Sequence, residues 1–251
     1  MTLVGMAPYE DRVRALAETV TTLRDDQLNR IEWIVAALVR PIEALRLETS
    51  DLVSAGLLNE FGDILKMHHA GSSEPFTKDK FEYALVTSSI HCGRKAFKNP
   101  RGNAGADVVI DGVRYSLKTQ ADKGIKSHVL HISKFMELGK GEWDLPVLRD
   151  RFLHHMEGYD RICSLRAFNE GANWTYELVE IPKALFLKAA KGELTICDDS
   201  RQTPKPGYCT VTEKDAVLFR LYFDGGTERK LQIKDIAKNR CVVHAEWKFK
   251  L

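Results

Sequence analysis

The sequence contains no CxxC pair, and its five cysteines (Cys92, Cys163, Cys197, Cys209 and Cys241) are scattered and odd in number. That argues against a disulfide framework or a cysteine zinc site, and points to reduced thiols in a cytoplasmic protein. No apolar run approaches the length of a membrane span, so no membrane partner is expected. The first residues, MTLVGMAPYEDRVR, lack a basic start followed by an apolar core, and no secretory signal is expected. GxGxxG and P-loop patterns are absent, which argues against a nucleotide cofactor. A strong charge of one sign is missing too: 37 Lys and Arg face 35 Asp and Glu, a formal net charge of +2. Any surface for a polyanion must therefore be local. The pairs His68-His69 and His154-His155 are adjacent rather than metal-spaced, and Cys241 with His244 lacks partners, so all read as structural.

What is present is ordinary in bulk: 251 residues, 44% hydrophobic and 29% charged, enough for a sizeable core. The stretch LNRIEWIVAALVRPIEAL, residues 28–45, is densely apolar and reads as helix that Pro41 kinks or breaks. Short helical pieces continue over residues 51–69. Thr77 reads as the N-cap of a helix running through Phe81, Ala84 and Leu85. A loop over residues 93–106 carries Arg94, Lys95, Lys98 and Arg101 and no acid. Strands are expected at 127–132, 174–181, 207–212, 216–223 and 241–249, where aromatic and β-branched residues concentrate. Helices are expected near SKFMEL, residues 133–138, and across residues 145–168. Helices followed by a mixed sheet with intervening helices give an α/β (α+β) class.

One short stretch carries chemistry. In GADVVIDGVRYSLKTQ, residues 105–120, Asp111-Gly112 is a strong two-residue hairpin signal. With that turn, Ile110 opposes Val113, Val109 opposes Arg114, Val108 opposes Tyr115 and Asp107 opposes Ser116. The strand period then gives one face Val108, Ile110, Val113, Tyr115 and Leu117, a core face. The other face carries Asp107, Val109, Arg114, Ser116, Lys118 and Gln120. A carboxylate diagonal to a lysine suits metal-assisted phosphodiester hydrolysis, with Asp107 on Mg²⁺ and Lys118 orienting water or stabilising developing charge. The competing reading is a surface ion pair on a solvated sheet face.

Asp107, the hairpin and the tripeptide Ser116-Leu117-Lys118 resemble the core of PD-(D/E)XK nucleases. Ala106 stands where that family has proline. Ser116 stands where it has a second acid, and serine supplies no second negative ligand; some restriction endonucleases of the superfamily recruit a glutamate from a nearby helix instead. The blocks ILKMHHA, FTKDKFEYA, SLKTQA, HISKFMELGKGEW, LVEIPK, QTPKPGY and LYFDGGTERKLQIK resemble type II restriction endonucleases of the Sma type, cutters of CCCGGG. They run over residues 61–247, while the segment before residue 51 carries no such resemblance. The resemblance implies a restriction-endonuclease-like fold, a mixed central sheet flanked by helices with a helical N-terminal region. It implies one nuclease domain over residues 1–251, with 1–75 mainly helical and 76–251 holding the catalytic core and DNA-recognition elements. It also implies an Mg²⁺-dependent endonuclease acting on double-stranded DNA at a short GC-rich palindrome, most simply as a homodimer.

Two glutamates compete for the missing acid. Glu82, beside the apolar stripe of its helix, is the stronger metal ligand alongside Asp107; Glu137 is the alternative, or a simple surface partner of Lys134. Arg94, Lys98 and Arg101 are expected on backbone phosphates, with Gln120, Lys123 and Lys126 extending the track. Asn103 and Ser116 complete this DNA-contacting set. Arg201, Gln202 and Lys205, in the proline-braced SRQTPKPGY, are expected at guanine edges, with Arg229 and Lys230 as the next candidates. A structure-specific or repair nuclease of the same fold, or a DNA-binding module inactivated through Ser116, are the alternatives.

Overall fold

The computed structural model describes residues 7–100, 105–121 and 124–251. The chain begins with helices α1 (Tyr9–Val20) and α2 (Asp25–Val39). α2 stops two residues before Pro41, as the steric restriction on a pre-proline residue requires. A short strand β1 (Glu43–Arg46) follows, then α3 (Ala55–Ala70), capped by Ser54 Oγ, which accepts from Leu57 N at 3.1 Å. α4 (Lys78–His91) starts after Thr77, although the threonine side chain makes no capping bond. Next come β2 (Ala96–Lys98), β3 (Val108–Ile110), β4 (Val113–Gln120) and β5 (Val129–Glu137). After α5 (Leu145–His155) come β6 (Arg161–Glu170), β7 (Asn173–Ile181) and the short α6 (Lys183–Leu187). The chain closes with β8 (Glu193–Ile196), β9 (Gly207–Glu213), β10 (Ala216–Asp224), β11 (Lys230–Ala237) and β12 (Val242–Lys250).

These strands form two sheets. The larger has the order β1-β12-β7-β6-β4-β3-β2 and is mixed, with β4 and β6 parallel; the smaller, β5-β11-β10-β9-β8, is antiparallel. One face of the larger sheet buries Val108, Ile110, Tyr115, Leu117, Leu165 and Leu178 against Phe61, Leu65, Phe81 and Leu85 of α3 and α4. A second core joins Ile162, Val179 and Ile181 of the larger sheet to Phe152 of α5, Phe186 of α6 and the inward residues of the smaller sheet. The N-terminal helices contrast with both cores. α1 buries no residue and α2 only Ala37.

Two expected helices are corrected. All of SKFMEL but its last residue, Leu138, is the second half of β5. Its ladder with β11 pairs Ile132 with Ile233 and Met136 with Leu231, so four steps on β5 match two on β11. This bulge lets Ile132 and Phe135 both point inward, and their three-residue spacing mimics a helical period. The stretch 145–168 is also not one helix: α5 ends at His155, and β6 begins at Arg161. β6 is central, and residues 162–167 are buried without interruption. Such a strand has no solvent-facing side, and even its Ser164 and Arg166 are buried. The break falls at Gly158, where a Cβ would come 2.9 Å from Gly105 Cα. That backbone crossing sets the end of α5 beside the approach to Asp107.

Candidate active site

The hairpin forms in the expected register: Val108 with Tyr115, Val109 with Arg114, Ile110 with Val113. Asp111 and Gly112 have φ of 50° and 83°, the left-handed pair that a two-residue turn needs. Arg94 locks this turn: its Nε donates to Asp111 Oδ2 at 2.7 Å and its Nη1 to Leu52 O at 3.0 Å. Arg94 is thus engaged at the turn end of the hairpin, opposite the Asp107 end.

Beyond Arg114, which is exposed and paired with Asp160, the polar face of the hairpin is not a solvated surface. It is closed over by β5, and Ser116, Lys118 and Gln120 are all buried. Gln120 Oε1 accepts from His131 N and Arg166 Nε, both at 3.3 Å, so it serves the seam between the sheets rather than a surface track. Ser116 is 2% exposed and likewise out of reach of DNA in this conformation. Lys118 Nζ lies 5.0 Å from the Phe135 ring centroid and donates to Phe135 O at 3.3 Å, within the bulge of β5. Burial pushes the Lys118 ammonium down to about 8. The nearby charge of Lys78 adds to that shift, while Asp107 and Glu82 oppose it.

Asp107 sits at the open end of β3. Its Oδ2 accepts from Leu117 N at 2.6 Å and its Oδ1 from Lys78 Nζ at 2.7 Å. Lys78, the first residue of α4, also lies 3.5 Å from Glu82 Oε1, one helical turn along. Glu82 is 5% exposed, and its other oxygen holds Lys98 Nζ at 2.5 Å. That hydrogen bond raises the Lys98 ammonium above its ordinary value. Lys98 is therefore committed to the acid cluster, including Asp79 Oδ1 at 3.4 Å. His155, at the end of α5, packs edge-on against Phe135 and Tyr159 at centroid distances of 5.9 and 5.5 Å. Burial, with the charge of Lys118, lowers its pKa and favours the neutral imidazole.

Glu137 sits apart from the acid pair. Its carboxylate is 72% exposed and pairs with Lys134 at 3.0 Å; Lys134 also holds Glu228 at 2.7 Å. It nonetheless lines the same cavity of about 410 Å³ as Lys78, Lys118 and Phe135. From that cavity the Lys134–Glu228 pair leads to a second cluster. Trp143 Nε1 donates to Lys205 O at 2.7 Å, and the Arg229 guanidinium lies 5.6 Å from the Trp143 ring centroid. Gln202 Nε2 donates to Asp224 Oδ1 at 3.2 Å. A Cβ on Gly225 would come 2.0 Å from Pro204 O, so the loop at 197–206 and the turn at 225–229 are packed backbone to backbone. Arg201 is exposed, Lys205 Nζ donates to Asp198 O at 2.5 Å, and Lys230 pairs with Glu228 at 2.9 Å. Lys126 is exposed while its carbonyl accepts from the buried Arg166 at 2.5 Å. Arg101, Asn103 and Lys123 lie outside the described residues.

Sequence reasoning passed over Lys78, His155 and the Phe135 carbonyl. Only Lys78 left a trace, four residues before Glu82 on one helix face. Among the described residues no group of three or more His, Cys, Asp or Glu gathers for a metal ion. The Asp107–Glu82 pair still fits Mg²⁺: two hard oxygen donors already share one cationic group, and Mg²⁺ is commonly held by one or two carboxylates with waters and phosphate.

A mixed sheet whose hairpin presents Asp107 and a buried lysine, with Glu82 brought alongside by α4, is an arrangement suited to phosphodiester hydrolysis. The family model of SmaI, type II site-specific deoxyribonuclease, matches residues 16–249, and the chain belongs to that family. It is a type II site-specific deoxyribonuclease, acting on DNA. It is 41% identical over 242 residues to the type II restriction enzyme SmaI of Serratia marcescens, covering 90% of this chain and 97% of that protein. The match extends the resemblance to most of the N-terminal segment, which the motifs alone left out. No solved structure matches. No helix among the described residues is long and apolar enough to cross a membrane.

Proposed function

We propose that the protein is an Mg²⁺-dependent restriction endonuclease that cleaves both strands of duplex DNA at CCCGGG, acting in the cytoplasm as a homodimer. Residues 1–251 form one nuclease domain of the restriction-endonuclease-like kind in this reading. The observation that carries it is the convergence of Asp107 and Glu82 on one ammonium, beside the desolvated Lys118. Asp107 and Glu82 would hold the ion, which when bound lowers the pKa of water and offsets charge building on the phosphate. Leu117 N fixes one Asp107 oxygen, so the carboxylate is oriented before substrate arrives. Lys118, braced by the Phe135 carbonyl, keeps its proton at neutral pH and presents positive charge from a largely desolvated position on the cavity wall. A charge there acts on the developing phosphorane more strongly than it would in bulk solvent. The second cluster, around Trp143, Arg229 and the loop carrying Arg201 and Lys205, is linked to the cavity lining through the Lys134–Glu228 pair, and its cations suit guanine O6 and N7. A palindrome read by two identical surfaces accounts for the dimer.

The test is cleavage of a sequenced plasmid by the purified protein with Mg²⁺, followed by sequencing of the fragment ends. Ends that all fall within CCCGGG, and disappear with EDTA, support the reading. Discrete ends at another sequence overturn the site, and nicking without sequence preference overturns the restriction activity.

A further inference from the structure

Lys78 occupies the place where a cation would be expected. Its ammonium is 2.7 Å from Asp107 Oδ1 and 3.5 Å from Glu82 Oε1, and it lines the cavity that also contains Lys118. Two carboxylates brought this close repel each other, and the cost rises as water is excluded. α4 resolves that repulsion by placing a lysine one turn before Glu82. We propose that Lys78 is the resident counter-ion of the acid pair, holding Asp107 and Glu82 together until a divalent cation displaces it. Lys98 then stays on Glu82 Oε2, because its 2.5 Å contact uses the oxygen that Lys78 does not. The displaced ammonium moves into the cavity it already lines, where Glu137 is one anion and a phosphate of bound DNA would be another. The side chain has room for this, being 41% exposed on its four-carbon stem. Lys78 is thus a positioning residue. It sets the affinity for the ion as a competitor and keeps the two carboxylates at a spacing that one cation bridges.

The inference rests on the assignment of Asp107 and Glu82 as metal ligands, so its test separates the two. Mn²⁺ binding is measured without DNA, by the loss of the free-ion electron paramagnetic resonance signal, for the wild type, Asp107→Ala and Lys78→Gln. If the site is closed by Lys78 nine-tenths of the time, removing it tightens apparent Mn²⁺ affinity by roughly tenfold. Asp107→Ala should abolish the same binding. Binding that survives in Asp107→Ala overturns the ligand assignment. Binding that is lost in Asp107→Ala but unchanged or weaker in Lys78→Gln overturns the role of Lys78. A second measurement needs no variant: acetylation of Lys78 in the wild-type protein, read by peptide mass spectrometry, should speed up on saturation with Ca²⁺. An unchanged rate would mean the ammonium stays where it is.

Discussion

The acid cluster around Asp107 and the loop cluster around Trp143 are built on opposite terms, though one ion pair connects them. In the first, charge is buried and committed: Glu82 and Lys118 are at most 9% exposed, and Asp107 has both oxygens engaged. In the second, Arg201 and Lys205 are exposed and the order comes from backbone contacts, such as Gly225 against Pro204. Burial makes electrostatics strong and geometry fixed, which chemistry needs. Exposed cations on a braced backbone cost little to desolvate and can be matched to base edges. The difference teaches that the two jobs should fail separately under mutation, the first through rate and the second through selectivity.

The largest expected effect is at Asp107. Asp107→Ala should remove cleavage by more than the roughly 10²–10³-fold that a single electrostatic donor is worth, while binding of cognate DNA in Ca²⁺ stays within a few-fold. Single-turnover rates and gel-shift titrations measure both. A mutant that cuts at near wild-type rate would dissolve the distinction between the clusters.

Lys118→Met comes next, with a loss of roughly 10²–10³-fold in the chemical step. The same change should stabilise the fold, because it replaces a desolvated ammonium by an apolar chain of similar length. The folded pKa of about 8 lies below the ordinary 10.5. Folding therefore costs on the order of 3 kcal/mol while both states are protonated, below about pH 8. The cost fades between about pH 8 and 10.5, where the unfolded chain binds the extra proton, and is gone above that. Urea unfolding of both proteins across this range should show a gap that narrows as pH rises. A constant gap would mean that packing, not charge burial, separates them.

Glu82→Gln should then weaken activity by roughly 10–100-fold, partly recovered at high Mg²⁺, against less than about threefold for Glu137→Gln. Glu137 is 72% exposed and paired with Lys134, so its charge is screened and replaceable. The reverse ranking would move the second acid from α4 to β5.

The smallest and most selective effects belong to the loop cluster. Arg201→Ala or Arg229→Ala should cost roughly 1–3 kcal/mol on the cognate site and much less on unrelated DNA. A phosphate contact would instead weaken all sequences alike and flatten the salt dependence. Equal losses on both DNAs would make these arginines backbone contacts and leave recognition to other residues.

Much of the hairpin was legible in the chain itself. Asp111-Gly112 dictates its turn, the turn dictates register, and the strand period separates Leu117 from Lys118. Strands such as β9 and β10, rich in aromatic and β-branched residues, and the helix carrying Glu82, with its cap position at Thr77, were readable because those signals are local too. What tertiary structure decided is everything that depends on what lies opposite. The face holding Ser116, Lys118 and Gln120 is buried because β5 covers it, and no residue within the hairpin encodes that cover. SKFMEL became a strand because its bulge is defined against β11, and β6 lost its period because both its faces are covered. Lys78 meets Asp107 across 29 residues of chain. The chain wrote the local periods and the chemical groups; long-range packing decided which of those groups would be desolvated, and the proposed site rests on the burial of Glu82 and Lys118 beside Asp107.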